Sequence, residues 1–307
     1  MGQGRRQDET LKTQSSSAWL LPNPEDPRLT RDVEGIDQNG EPVRAAIVHE
    51  RALTLYLNRQ EIVTLMTIGD HPDYLALGYL LNQNMLQPDD SVTGIDHDED
   101  LGVIIVRTAR ETNFETKLQK RVRTSGCAHG TIFGDVMETF SQIELAAEAR
   151  LRTAWLYALM RALNTLPSLY LKAGAIHGCA LCAEDRVLIY FEDVGRHNAV
   201  DKIAGYMWRH GIPADDKIFY TTGRLTSEMI IKTVQMRIPI LISRSGFTAW
   251  GVDLARDANL TLIGRARGKR FLALAGLERI IFDANLDQVT DEPARFRRKA
   301  AGRDQEL

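Results

Sequence analysis

Apolar and polar residues alternate from Arg44 to Met66, in RAAIVHERALTLYLNRQEIVTLM, and the alternation predicts β-strands with a turn at Asn58–Arg59. The period then lengthens. In GDHPDYLALGYLLNQNML, Leu75, Tyr79 and Leu80 fall on one face and Pro72 suits a first helical turn, which predicts a helix. Two further apolar runs, Val92–Asp96 and Val103–Thr108, are split by the acidic DHDED and predict a strand pair. This half of the chain reads as a small α+β unit.

The second half has a different rhythm. Ser141 and Glu144 form a capping-box pattern, so a long helix is expected over ELAAEARLRTAWLYALMRAL. Short apolar runs follow at regular intervals: AIHGCALC, VLIYFED, KIFYTT, PILISRS and LTLIGRA. Helical patterns separate several of them, in AVDKIAGYMWRHG, TSEMIIKTVQMR and TAWGVDLARDA. Strands alternating with helices predict a layered α/β sheet with some parallel pairs. Functional loops in such sheets gather beyond the C-terminal strand ends. Those ends carry the polar clusters EDVGRHN, TTGRLTSE, SRSGFT and GRARGKR. Loop composition alone does not account for clusters at four equivalent positions, and they are expected to form one site.

Composition narrows the function classes. With 44% hydrophobic and 26% charged residues among 307, the chain is an ordinary globular one. A net charge of −3 gives no support to nucleic-acid binding by bulk charge. No apolar run approaches the roughly 20 residues that span a bilayer, and the N-terminus lacks the apolar core of a secretory signal. Neither a nucleic-acid nor a membrane partner is expected, and the expected compartment is the cytoplasm. Polar, proline-punctuated residues 1–30 are expected to be a mobile arm. Residues 31–120 would form the α+β unit, 121–287 the α/β domain, and 288–307 a charged flexible tail.

The clusters suggest anion chemistry. Glu192, Asp193, Arg196, His197, Asn198 and Asp201 fall within ten residues at a strand-to-helix junction, where Gly195 permits a tight turn and a helix start presents free N–H groups. A cap and ion-pair network holding the junction would by itself explain two or three of the six. In TTGRLTSEM, Arg224 can fork onto phosphate or carboxylate while Thr226 reads as a helix cap. The chain lacks a complete P-loop, so nucleoside triphosphate hydrolysis has little support. Arg265, Ala266, Arg267, Gly268, Lys269 and Arg270 form a segment dense enough in charge for a polyphosphate, and read alone it also fits a solvated surface hairpin.

Three cysteines are too few for a disulfide framework. Cys179 and Cys182 stand in a strand pattern, where positions i and i+3 point to opposite faces and do not pinch one metal ion; they read as buried fillers. His177 beside them fits either the site or the core. Cys127 differs. In RTSGCAHGTIFGD its neighbours are too small and polar to make a core, and Arg121, Arg123 and His129 stand close enough in sequence to favour the thiolate. An exposed thiolate suits handing an atom between two partners.

Together TIGDHPDYLALGYLLNQNML, GAIHGCAL, EDVGRHNAVDKIAG, TGRLTSEMIIK, IPILISRS and LIGRARGKRF resemble the formate dehydrogenase accessory sulfur carrier proteins, the FdhD family, from about Glu50 to Ile281. The resemblance implies a cytidine-deaminase-like three-layer α/β/α main domain beside the smaller α+β subdomain. It implies a sulfurtransferase that accepts sulfur from a cysteine desulfurase as a persulfide on Cys127. The acceptor would be the molybdenum or tungsten bis(molybdopterin guanine dinucleotide) cofactor of formate dehydrogenase. Residues Arg265 to Arg270 would bind that cofactor, with Arg224, Asp193, Arg196 and His197 in the same site; the chain would hold no catalytic metal and form a homodimer. One departure stands out: many members carry C-G-x-C in the loop, whereas this chain has CAHG, with Gly130 in place of a second thiol. That keeps open a maturation chaperone that binds the cofactor without transferring sulfur. A zinc deaminase is disfavoured, because Gly178 and Cys179 follow His177 where the H-x-E motif places an acid.

Overall fold

The computed structural model describes residues 20–110 and 133–289. Strands β1 (Thr30–Ile36) and β2 (Pro42–Val48) form a separate antiparallel hairpin. Strands β3 (Arg51–Leu57) and β4 (Gln60–Thr67) lead into helix α1 (Pro72–Asn82), and β5 (Val92–Asp98) and β6 (Val103–Thr108) complete a sheet of order β4-β3-β6-β5. The turn at Asn58–Arg59 lies where the alternation breaks, with Asn58 in the left-handed conformation. Leu75, Leu77 and Leu80 of α1 bury against Leu53, Leu55, Leu57, Ile104 and Val106.

The larger unit follows: α2 (Phe133–Phe140), β7 (Leu151–Arg152), α3 (Thr153–Thr165), the single turn α4 (Leu169–Lys172), β8 (His177–Ala183) and β9 (Arg186–Asp193). It continues through α5 (Arg196–His210), β10 (Lys217–Thr221), α6 (Ser227–Gln235), β11 (Ile240–Ser243), α7 (Ala249–Asp257), β12 (Thr261–Arg267), β13 (Arg270–Ala275) and β14 (Ile280–Ile281). Six strands make a mixed sheet of order β13-β12-β11-β10-β8-β9. Strands β10, β11 and β12 are parallel, and β8 runs antiparallel to both β9 and β10. Hence β9, β10, β11 and β12 all end at the same edge. Helices α5, α6 and α7 cover one face, with Phe191, Phe219, Leu241 and Leu262 in that core. Helix α3 covers the other, over Tyr190, Ile218, Tyr220, Ile242 and Ile263. Among the described residues no helix is long and apolar enough to cross a membrane.

Two expectations are corrected. The helix expected from Glu144 begins at Thr153, because the preceding residues are claimed by distant partners. Leu151 and Arg152 pair with Ile280 and Ile281, and the buried Arg279 guanidinium donates to the Ala146 carbonyl at 3.1 and 3.0 Å. The cap comes from across the chain, as Asp283 accepts from Ala154 N–H at 3.0 Å. Second, Leu20 to Leu29 fall within the stretch read as a mobile arm, yet Leu20 pairs with β9 through Leu188 and Tyr190, and Leu29 is buried.

The two units meet where α1 crosses α5. A methyl group on Gly78 would overlap the Asp201 carbonyl, and one on Gly205 would overlap the Tyr74 carbonyl. The helices are therefore in backbone contact, which only glycine permits. Gly205→Ala is expected to destabilise by ~2 kcal/mol or more, the overpacking strain exceeding the gain in helix propensity. Thermal unfolding would then move down by ~5 °C; an unchanged melting temperature would mean the crossing relaxes freely.

Candidate functional site

Each of the four clusters lies at the shared edge, and hydrogen bonds tie neighbouring loops together. Ser243 Oγ donates to Gly223 C=O at 2.6 Å, joining the loops after β10 and β11. Leu225 N–H donates to Gly246 C=O at 2.9 Å, and Thr248 N–H to Leu225 C=O at 3.0 Å. The loop after β11 joins the end of β12 through Arg265 N–H to Ser245 C=O, 2.7 Å, and Arg267 Nε to Arg244 C=O, 3.0 Å. Between β10 and β9 stands His177 at the start of β8, its Nδ1 3.3 Å from Thr222 Oγ1. On the far side Arg196 lies against Gly223. From β12 to β9 the edge crosses four strand spacings, roughly 19 Å.

The electrostatics of this edge favour anions. Helices α5, α6 and α7 all start here, and their N-terminal ends carry partial positive charge. Arg224, Arg265, Arg267, Lys269 and Arg270 are exposed around them. Gly268, at φ 54°, turns the tight β12–β13 hairpin that carries the last four. Ala266 does not join them: its side chain is buried in the core under α3. Thr226 occupies the N-cap position of α6, as expected, but its hydroxyl makes no cap bond and is buried without a partner.

At the β9–α5 junction the buried network is larger than expected and accounts for four of the six polar residues. Asp193 accepts from Thr67 Oγ1 (2.5 Å), Lys202 Nζ (2.6 Å), Gly195 N–H (3.1 Å) and Asn198 Nδ2 (2.9 Å). Fully enclosed and with both oxygens bonded to protein donors, it positions the junction. Lys202 also donates to Asp70 and to Glu192 C=O. Burial alone would lower the Lys202 ammonium, but Asp193 and Asp70 outweigh it and hold it above its ordinary value. Asp201 accepts from Lys232 at 2.9 and 2.7 Å and from Asn82 at 2.7 Å, linking α5 to α6 and α1. Glu192 accepts from Leu169 and Tyr170 N–H at 2.7 and 2.8 Å. Lys202, Lys232, Asn82 and Asp70 were not picked out from sequence; a lysine inside an amphipathic pattern reads as solvent-facing until its acid is known.

Arg196 and His197 remain for the site. Burial, reinforced by Lys232 and Arg196, pushes His197 down to about 2, so the imidazole is neutral at physiological pH. Arg196 Nε donates to His197 Nε2 at 3.2 Å, which places the ring proton on Nδ1. Glu228, a site residue that sequence reasoning missed, lies 3.3 Å from the same Nε2 with its carboxyl raised by burial. With the ring neutral and Nε2 accepting from Arg196, this contact is a close polar approach rather than an ion pair. His197 thus sets a neutral ring beside Arg196, and the exposed arginines and Lys269 carry the positive charge of the edge.

The cysteines separate by environment. Cys179 faces the core under α5 to α7 and Cys182 the core under α3, as strand alternation predicts. Burial pushes the Cys179 thiol up to about 12 and Cys182 higher still, so neither is a thiolate. Cys127 lies outside the described residues. Among the described residues no three His, Cys, Asp or Glu side chains converge as a metal ion would require.

Two outcomes test the network. Lys202→Met should cost ~3–5 kcal/mol, because Asp193 and Asp70 lose the cation that compensates their burial; a loss below ~1 kcal/mol would contradict the pairing. Glu192, raised by burial from 4.5 to about 7, gives a pH signature. The folded chain keeps this proton up to about pH 7 and the unfolded chain only to 4.5, so stability falls as pH rises through that window. The change is ~3 kcal/mol, and Glu192→Gln should remove it from denaturant titrations at pH 5 and 8.

A model of the FdhD/NarQ family matches residues 48–281. The sulfur carrier protein FdhD of Bacillus subtilis (strain 168) is 32% identical over 245 residues, covering 78% of this chain and 91% of that protein. The sulfur carrier protein FdhD of Bacillus pumilus (strain SAFR-032) is 31% identical over 232 residues, covering 73% and 86%. Among solved structures, a putative formate dehydrogenase accessory protein from Desulfotalea psychrophila superposes with a TM-score of 0.66 at 25% identity, over 82% of this chain and 99% of that one. By these matches the chain belongs to the FdhD/NarQ family.

Proposed function

We propose that the chain is a sulfur carrier for formate dehydrogenase maturation, accepting sulfur from a cysteine desulfurase as a Cys127 persulfide and delivering it to a molybdenum or tungsten bis(molybdopterin guanine dinucleotide) acceptor. The observation that carries the reading is the strand-end edge. Three helix N-termini and five exposed cations line roughly 19 Å of it, which suits an elongated substrate with several phosphates. Relatives named as sulfur carriers support the sulfur chemistry. So does the sealing of Cys179 and Cys182, which leaves Cys127 as the remaining cysteine to carry the exchange in this reading. A single thiol is sufficient, because an acceptor can take the outer sulfur of a persulfide without a resolving cysteine. Helices on both faces of the main sheet are compatible with the cytidine-deaminase-like layering, which is part of the same reading. The partners in this reading are the desulfurase and the dehydrogenase catalytic subunit.

The test begins with desulfurase, free cysteine and the purified chain, with the added sulfur located by peptide mass spectrometry. Sulfur is expected on Cys127, and Cys127→Ala should abolish dehydrogenase activation at an unchanged melting temperature. Cys179→Ser and Cys182→Ser should keep transfer while losing ~1–3 kcal/mol for a buried hydroxyl. Full activation by Cys127→Ala would replace the carrier with a cofactor-binding chaperone. For the acceptor side, Arg267→Ala with Lys269→Ala should weaken guanine nucleotide binding at least ~10-fold in calorimetry and leave persulfide loading intact. Unchanged affinity would make the basic hairpin a solvated surface.

A further inference from the structure

The loops after β10 and β11 are zipped together along their backbones. Leu225 and Phe247 form a parallel bridge, closed by Leu225 N–H to Gly246 C=O and Thr248 N–H to Leu225 C=O. Phe247 in turn lies against β12, where a methyl group on Gly264 would fall 2.5 Å from its ring. The starts of α6 and α7 are thus held in fixed register beside the end of β12.

Helix α7 has one buried side, made of Gly251, Val252, Leu254 and Ala255. Contacts show what lies along each flank of that side. A methyl group on Gly251 would stand 2.8 Å from the Leu225 carbonyl oxygen and 3.3 Å from the carbonyl carbon of Thr226, so the backbone entering α6 touches this flank. Arg256 marks the other flank, where its Nε donates to Leu274 C=O of β13 at 3.2 Å. Residues three and four apart are neighbours on a helix surface. Leu254 therefore adjoins both Gly251 and Trp250, which sets Trp250 on the α6 flank and away from β13.

The helix cap is supplied by Thr248, whose Oγ1 accepts from Gly251 N–H at 3.2 Å. Core packing falls to the four buried residues, while the Trp250 side chain is left 49% exposed. The groups around it suit an anion. They are the N-terminal ends of α6 and α7, the exposed Arg224 just before the Leu225–Phe247 bridge, and the exposed Arg265, whose N–H is tied to Ser245 C=O. A nucleotide carries its charge at one end and a flat base at the other, and this edge pairs cations with a half-exposed indole.

We propose that Trp250 is the platform on which the base of a bound guanine nucleotide stacks, while Arg224, Arg265 and the two helix N-termini hold its phosphates. The inference rests on the reading of this edge as the site of a guanine dinucleotide acceptor, and adds to it the residue that meets the base. An aromatic face stacks on any base, so the platform supplies affinity for the base rather than a choice of guanine.

Calorimetry on the full chain with guanosine diphosphate and, separately, inorganic pyrophosphate divides the base from the phosphates. The unaltered chain should bind the nucleotide more tightly than pyrophosphate. Trp250→Ala should weaken the nucleotide at least ~5-fold and leave pyrophosphate affinity unchanged. Trp250→Phe keeps a ring and should restore most of the nucleotide affinity. Nucleotide should also quench the indole emission of the unaltered chain, and Trp250→Phe should remove most of that quenching. Unchanged nucleotide affinity in Trp250→Ala overturns the inference, and so do equal losses for both ligands, which would make the indole a structural residue. In either case the phosphate edge stands. A chain that binds neither ligand overturns the acceptor reading itself and the platform with it.

Discussion

The charge of Lys202 is the constraint on which the arrangement rests. An ammonium with no solvent contact is tolerated only with acids held against it, and here they come from separate parts of the chain. Asp193 ends β9, and Asp70 belongs to the turn before α1. Meeting the needs of one cation thus fixes the smaller unit against the larger and sets the direction in which the chain leaves β9. Thr67 and Asn198 bond to the same aspartate, so β4, β9 and α5 converge on one carboxylate.

That point is also where the candidate site begins. Gly195, Arg196 and His197 follow directly, and their position is inherited from the buried network. Lys232 on Asp201 ties α6 to α5 in the same way, and α6 places Glu228 beside His197. One end of the site is therefore made of the neutral His197 with Glu228 beside it, over buried ion pairs. Its cationic end is an exposed hairpin from Arg265 to Arg270. An acceptor held by phosphate at the hairpin would have its remaining length laid along the loops toward His197.

Much of this was legible in the sequence. Alternation located β3 to β6, and the strand–helix rhythm placed the polar clusters where a parallel sheet brings strand ends together. Strand periodicity also sent Cys179 and Cys182 to opposite faces. What sequence could not show depended on contacts between distant residues. The capping-box pattern at Ser141 and Glu144 promised a helix, but Arg279 and the β14 strand, more than a hundred residues on, hold that stretch open. The buried bonds of Asp193 were hidden as well: its lysine is nine residues away, inside a helix whose pattern hides it. Ala266 likewise shares a segment with four cations while pointing into the core.

The central claim is that the shared strand-end edge binds the anionic acceptor, and hydrogen exchange on the full chain tests it most directly. With saturating guanosine diphosphate as the probe, amide protection should appear in the loops at 194–198, 222–227, 244–248 and 265–270 together. Protection confined to other segments, or absent although the nucleotide is bound, would contradict the account.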